Sequence, residues 1–157
     1  METQVHYRET QTFDQPWLWG LLGGQALVVL LRAARGKRSA RETVPALVPV
    51  LAAAALARTA TLYTEVRDDG IYVKFGPFHR SFRRVPFSDL ADVQSMGYSP
   101  LRYGGWGIRW RPSEMAYTAS GTTGVRFERS DGTSVFVGSE NPDELLAAVQ
   151  EASSREV

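Results

Sequence analysis

Two patterns of hydrophobic and polar positions divide the chain. Between residues 16 and 63 apolar side chains run on almost without interruption. Residues 16–32 read PWLWGLLGGQALVVLLR, with Gln25 the one polar side chain before the arginine, and 44–63 read VPALVPVLAAAALARTATLY, charged only at Arg58. Downstream of residue 63 apolar and polar positions alternate in short segments bounded by Gly, Pro and Asp, the period-two signature of half-buried antiparallel strands. The mean hydropathy of -0.23 averages over these two parts and describes neither.

A helix rises about 1.5 Å per residue, so a hydrocarbon layer of about 30 Å takes about 20 apolar residues and at least about 17. The second run meets this length. The first reaches it when Arg32 extends its guanidinium to the headgroups and Trp17 and Trp19 sit in the opposite interface. Gly20, Gly23 and Gly24, facing an alanine-rich partner, predict a closely packed helical hairpin. Two competing readings are core helices of a soluble protein and a secretory signal. Run length opposes the first; the second is opposed by the mixed-charge residues ahead of the first run and by the second run that follows. The expected organisation is an N-terminal flank over 1–15, a two-helix transmembrane hairpin over 16–62 and a β domain over 63–157, making an integral membrane protein with two spans. The connecting segment 32–41 holds five basic residues and no acid, but Arg8, Arg67, Lys74 and Arg80 flank the hairpin, so the positive-inside rule chooses no side for the β domain.

Within 63–157 the alternation predicts strands at 64–67 and 71–75 around Asp68-Asp69-Gly70, at 80–85 before Pro86, near 91–98, at 108–110, and at 125–129 and 133–137 around Ser130-Asp131-Gly132. That is about seven antiparallel strands. The sequence then supplies Asn141 as an N-cap, Pro142 at the first helical position, and Asp143 and Glu144 in the first turn, ahead of LLAAVQEA. Leu145, Leu146, Val149 and Ala152 give this C-terminal amphipathic helix its apolar face, which should close an open edge or end of the sheet. The fold class read from these elements is α+β.

The two-helix anchor, EVRDDGIYVKFGPFHRSFRRVPFSDL, then YGGWGIRW and GVRFERSDGTSVFVGSENPDELLAAVQ, together resemble prokaryotic membrane-anchored proteins carrying a bacterial pleckstrin-homology-like (PH-like) domain. The resemblance runs from Tyr7 onward. It implies a bent barrel of about seven strands closed by a C-terminal helix. Those families are largely without assigned biochemical function, so no catalytic residue is carried over. The basic loop of eukaryotic phosphoinositide-binding domains corresponds here to the acidic Asp68-Asp69, so that signature is not carried over either.

Charge and composition narrow the chemistry further. Eighteen basic residues against 17 acidic ones give no global field for nucleic acid, and the absence of cysteine removes disulfides, thiolate nucleophiles and cysteine-ligated metal sites. His6 and His79 have no partner at metal-ligand spacing, no serine lies in a nucleophile elbow, and Gly104-Gly105 open a strand rather than the helix a phosphate loop needs. No catalytic, cofactor-binding or metal-binding residue is expected. The candidate lipid or partner contacts are the basic cluster Lys74, Arg80, Arg83 and Arg84, and the aromatic residues Tyr103, Trp106 and Trp110. The basic cluster is read either as a headgroup contact or as a solvated outer sheet face. The function expected is a membrane-tethered, non-catalytic binding or assembly module, its partners the lipid bilayer and a protein or second copy of the chain. The alternative is an anionic-lipid-recognising subunit of a membrane enzyme or transport complex.

Overall fold

In the computed structural model, which describes residues 4–155, the chain is α+β: two long apolar helices near the start, two β-sheets, and a C-terminal helix. It divides into two compact units, one formed by residues 14–59 and the other by residues up to 13 together with those from 60 onward.

The segment expected as an N-terminal flank is strand β1 (Val5–Thr12) of the β unit. Its sequence hides it because the inward positions are largely polar. Tyr7 packs on the core, but Glu9 and Gln11 also point inward and are satisfied by the end of another strand. Ser139 Oγ donates to Glu9 at 2.7 Å, the Glu140 N–H donates to it at 2.8 Å, and Gln11 Nε2 donates to the Gly138 carbonyl at 2.7 Å. Hydrogen bonding thus replaces the apolar alternation that announces a strand.

The helical unit is α1 (Pro16–Ala34) followed by α2 (Ala40–Thr59). Pro16 fits the first helical position, and Trp19 Nε1 donates to Asp14 at 3.1 Å. Ser39 caps α2: the Ser39 N–H donates to the Glu42 carboxylate at 3.2 Å while the Thr43 N–H donates to the Ser39 carbonyl. Both helices are long and apolar enough to cross a membrane, and only 6% and 11% of their most apolar windows are buried. Leu27 and Leu51, exposed by 56% and 63%, lie on faces that core helices would cover. The close packing expected at the glycines is absent: a Cβ at Gly20, Gly23 or Gly24 would meet nothing within 4 Å, and a groove lined by Gly20, Gly24, Ala46 and Ala53 runs there instead.

Helix α2 stops at Thr59, earlier than the apolar run does, because Leu62 is drawn into the β core and is fully buried. Strand β2 (Thr61–Arg67) pairs antiparallel with β1 on one side and with β3 (Gly70–Gly76) on the other, and β4 (Arg83–Pro86) completes a four-stranded sheet in the order β1-β2-β3-β4. β4 begins at Arg83 rather than residue 80, since residues 77–82 are used in the turn after β3, where the His79 N–H donates to the Phe75 carbonyl. The second sheet contains β5 (Leu90–Gly97), then, after the short helix α3 (Pro100–Tyr103), β6 (Gly107–Arg111), β7 (Glu114–Thr118), β8 (Thr123–Arg129) and β9 (Ser134–Gly138). Its order is β5-β8-β9-β7-β6. The described strands therefore exceed the seven expected by β1 and β7, and the sheet is mixed, because β7 pairs parallel to β9.

The core lies between the sheets. Leu62, Val66, Ile71, Val73 and Phe75 meet Val125, Phe127, Val135 and Val137, each removal of such a side chain from water being worth about 1.5–3 kcal/mol. Helix α4 (Pro142–Arg155) inserts Leu145, Val149 and Ala152 into this core and packs on β1, β2, β3, β5 and β8, as its apolar face predicts. Leu146 is only partly buried beside it. α4 thus closes one side of the two-sheet unit; the edges formed by β4 and β6 receive no such cover.

Candidate functional site

The pairing of β3 with β4 divides the basic cluster between two faces. Tyr72 stands opposite Arg84, and Val73 opposite Arg83. Cross-strand partners share a face, so Arg84 joins Tyr72 and Lys74 outside while Arg83 joins Val73 on the side that carries the core. Outside, Arg84 pairs with Asp69 at 3.1 Å and Lys74 lies over the rings of Tyr63 and Phe82 at 5.8 and 5.9 Å. Arg80 is exposed in the preceding turn. The four residues do not form one surface.

The aromatic loop is self-packed at two of its three expected contact residues. Tyr98 stacks between Tyr103 and Phe136, with ring centroids 4.7 and 5.2 Å away, and donates its hydroxyl to the Gly105 carbonyl at 2.6 Å. Trp106 Nε1 donates to the Gly121 carbonyl at 2.8 Å, and Arg111 lies over Tyr103 at 4.3 Å. Gly104, at φ +77, ends α3 and lets its carbonyl accept from Arg109. Trp110 is the exception: it sits on the edge strand β6 and is 75% exposed.

Arg83 and Trp110 meet at a cleft of about 680 Å³ between the uncovered edges of the two sheets. Its walls are the core face continued outward: Val73 and Val85 from the first sheet, Ile108, Met115, Tyr117 and Val135 from the second. Arg129 enters from β8, where Val125, Phe127 and Arg129 share one face, so a second arginine follows two core positions. Tyr117 is buried, and that burial raises its hydroxyl pKa, while the guanidinium charges of Arg83 and Arg129, which line the same cleft, oppose the rise. His79 stands edge-on to Tyr117 with ring centroids 5.7 Å apart. Its burial, aided by the Arg83 charge, lowers its pKa and so favours the neutral ring.

The cleft carries more positive than negative charge. Glu114 lines it but is shared by Arg126 at 3.8 Å and the Tyr103 hydroxyl at 3.4 Å. Arg84 is held by Asp69, and Arg111 donates to the Arg102 carbonyl. Among the described residues neither Arg83 nor Arg129 has a carboxylate within 4.0 Å, although, beside the hydrogen bonds from Thr133, the Arg129 charge helps to lower the pKa of Asp131, and the buried Nε of Arg129 has no hydrogen-bond acceptor. Of the contacts expected from sequence, Arg83, Arg84 and Trp110 line the cleft; Lys74, Arg80, Tyr103 and Trp106 do not. Arg129, Tyr117 and His79 were not expected there. The parity of 125, 127 and 129 would have flagged Arg129, but what it faces is settled only by the opposing sheet.

A comparison with curated proteins finds no match. Residues 46–155, spanning most of α2 and nearly all of the β unit from β2 to α4, match a family described as a family of unknown function (DUF6141), and the chain belongs to that family.

Proposed function

We propose that this protein is a membrane-tethered, non-catalytic binding and assembly module in which a PH-like β domain is held at the bilayer by a two-span hairpin. The observation that carries this reading is the place of the hairpin in the chain. Residues 14–59 are inserted between β1 and β2, two strands that pair along their length and are joined at the insertion point by the Phe13 N–H donating to the Ala60 carbonyl at 2.9 Å. Strands paired in this way must lie on one side of a membrane, and a hairpin of two spans returns the chain to the side it left. The apolar faces left exposed on α1 and α2 support a lipid surrounding, since in water such side chains would forfeit about 1.5–3 kcal/mol each. Trp17 and Trp19 at one end of α1 and Arg32 in its last turn suit the two interfaces. Two sheets enclosing one core and closed by a C-terminal helix support the PH-like assignment, with β1, β7 and the parallel β7–β9 pair as departures from it.

The test is alkaline carbonate extraction of membranes from cells producing the full chain. Retention in the pellet, with release only by detergent, is expected. Release with peripheral proteins would refute the two-span anchor.

A further inference from the structure

We propose that the cleft between β4 and β6 is a binding site for an anionic amphiphile, a compact oxyanion head on an apolar body. The placement of two arginines leads there. Arg83 and Arg129 project from the core-facing sides of opposed sheets, positions that on neighbouring residues hold Val73, Val85, Val125 and Phe127. Arg129 is half-buried there, so its charge loses solvation, and that loss is offset when an anion supplies the missing partner; Arg83, at the exposed rim, keeps its water until a ligand arrives. The Nε of Arg129 is buried and without an acceptor, so this guanidinium is not already satisfied by the protein at that atom. Two guanidinium groups offer paired donors that match the oxygens of a phosphate or carboxylate.

The remainder of the cleft decides against a bare ion. A volume of about 680 Å³ lies in the range of small-molecule sites, and Val73, Val85, Ile108, Met115 and Val135 make much of its wall apolar. Trp110, exposed on the edge strand, stands in the lining where the apolar body would lie. The existence of this site rests on the cleft alone. That its ligand is drawn from a bilayer rests on the membrane tether proposed above.

The chain has two histidines, and this gives the test its readout. His79 lines the cleft, whereas His6 is held by Asp68 at 2.6 Å and is outside the lining. Full-length protein in neutral detergent is titrated with hexyl phosphate and, separately, with inorganic phosphate, and the two imidazole signals are followed by NMR. Hexyl phosphate is expected to move the His79 signal saturably and to leave His6 in place, with inorganic phosphate weaker by about tenfold or more. Replacing both Arg83→Gln and Arg129→Gln should weaken hexyl phosphate by about tenfold or more, and Arg83→Gln alone, at an exposed position, by a smaller factor. Arg155→Gln removes one charge from α4 and should change nothing. No saturable His79 shift, equal binding of both phosphates, or undiminished binding by the folded Arg83→Gln chain would each overturn the proposal. The same measurement in phosphatidylcholine nanodiscs with and without phosphatidate identifies the source: a shift caused by phosphatidate alone assigns the site to a bilayer lipid, and a shift caused only by added hexyl phosphate assigns it to a soluble amphiphile. Failure of the carbonate test would leave the detergent titration standing, so the two readings fail separately.

Discussion

The N–H of Phe13 donates to the carbonyl of Ala60 at 2.9 Å, closing one end of the β1–β2 pair while the whole helical unit lies between these two residues in sequence. The hairpin is an insertion into a β-ladder, and the β unit is assembled from both sides of it. Deleting residues 14–59 and joining Phe13 to Ala60 through a two-residue Asn-Gly turn should therefore give a soluble β domain, since such turns suit antiparallel neighbours. The fragment 63–157 should fail, as it lacks β1, Ala60 and the fully buried Leu62 and exposes the edge of β2. Circular dichroism and thermal melting of the two chains decide this. A cooperative β-rich melt for 63–157 would contradict the requirement for β1.

Gly124 is a second point of dependence. A Cβ there would lie 2.3 Å from the Val137 carbonyl oxygen and 2.6 Å from the Phe136 ring, contacts that require the β8–β9 pair to part. Gly124→Ala should cost about 1–3 kcal/mol, in the range of overpacked cores. Gly132→Ala is not a fair control because its φ is +82, but Gly97→Ala is, with no atom nearer than 3.8 Å. Denaturant titration of the β domain should separate the two variants.

His79 should make stability depend on pH in one direction. Burial lowers its pKa below the ordinary value of about 6.5, so the neutral ring is favoured in the folded state. Its stabilisation is complete above about pH 6.5 and is lost as pH falls through the folded-state value. Its Nδ1 also accepts from the Phe75 N–H at 3.4 Å, and protonation ends that contact. The stability advantage of the native chain over His79→Gln should shrink between about pH 7.5 and about pH 5. An advantage that grows on acidification would reverse the assignment.

Glu65 joins β1 to β2 on the outer face, accepting from Arg8 at 2.9 Å and from Arg67 at 2.7 Å while itself nearly buried. Glu65→Ala should destabilise the β domain by about 1–3 kcal/mol, because three charge-assisted bonds, one from Arg8 and two from Arg67, are lost and both arginines can recover water. Arg8→Ala should cost less than about 1 kcal/mol, as Arg8 is largely exposed. Melts of the two variants give the order directly.

The elements whose signals are local can be read directly from the residues. The uninterrupted apolar runs specify α1 and α2, Asn141-Pro142-Asp143-Glu144 with Leu145 and Val149 specifies α4, and the Asp-Gly turns at 69–70 and 131–132 place two hairpins. Each follows from backbone propensity and side-chain period within a few residues. The rest depends on contacts between segments distant in the chain. β1 was invisible because Glu9 and Gln11 are satisfied by Gly138, Ser139 and Glu140, more than a hundred residues away. The basic cluster was legible as residues but not as a surface, since the β3–β4 register alone sends Arg83 inward and Arg84 outward. The cleft was not legible at all: its lining takes Arg83 from one sheet and Tyr117 and Arg129 from the other, and the distance across a gap between sheets is set by how their cores pack, which no local pattern encodes.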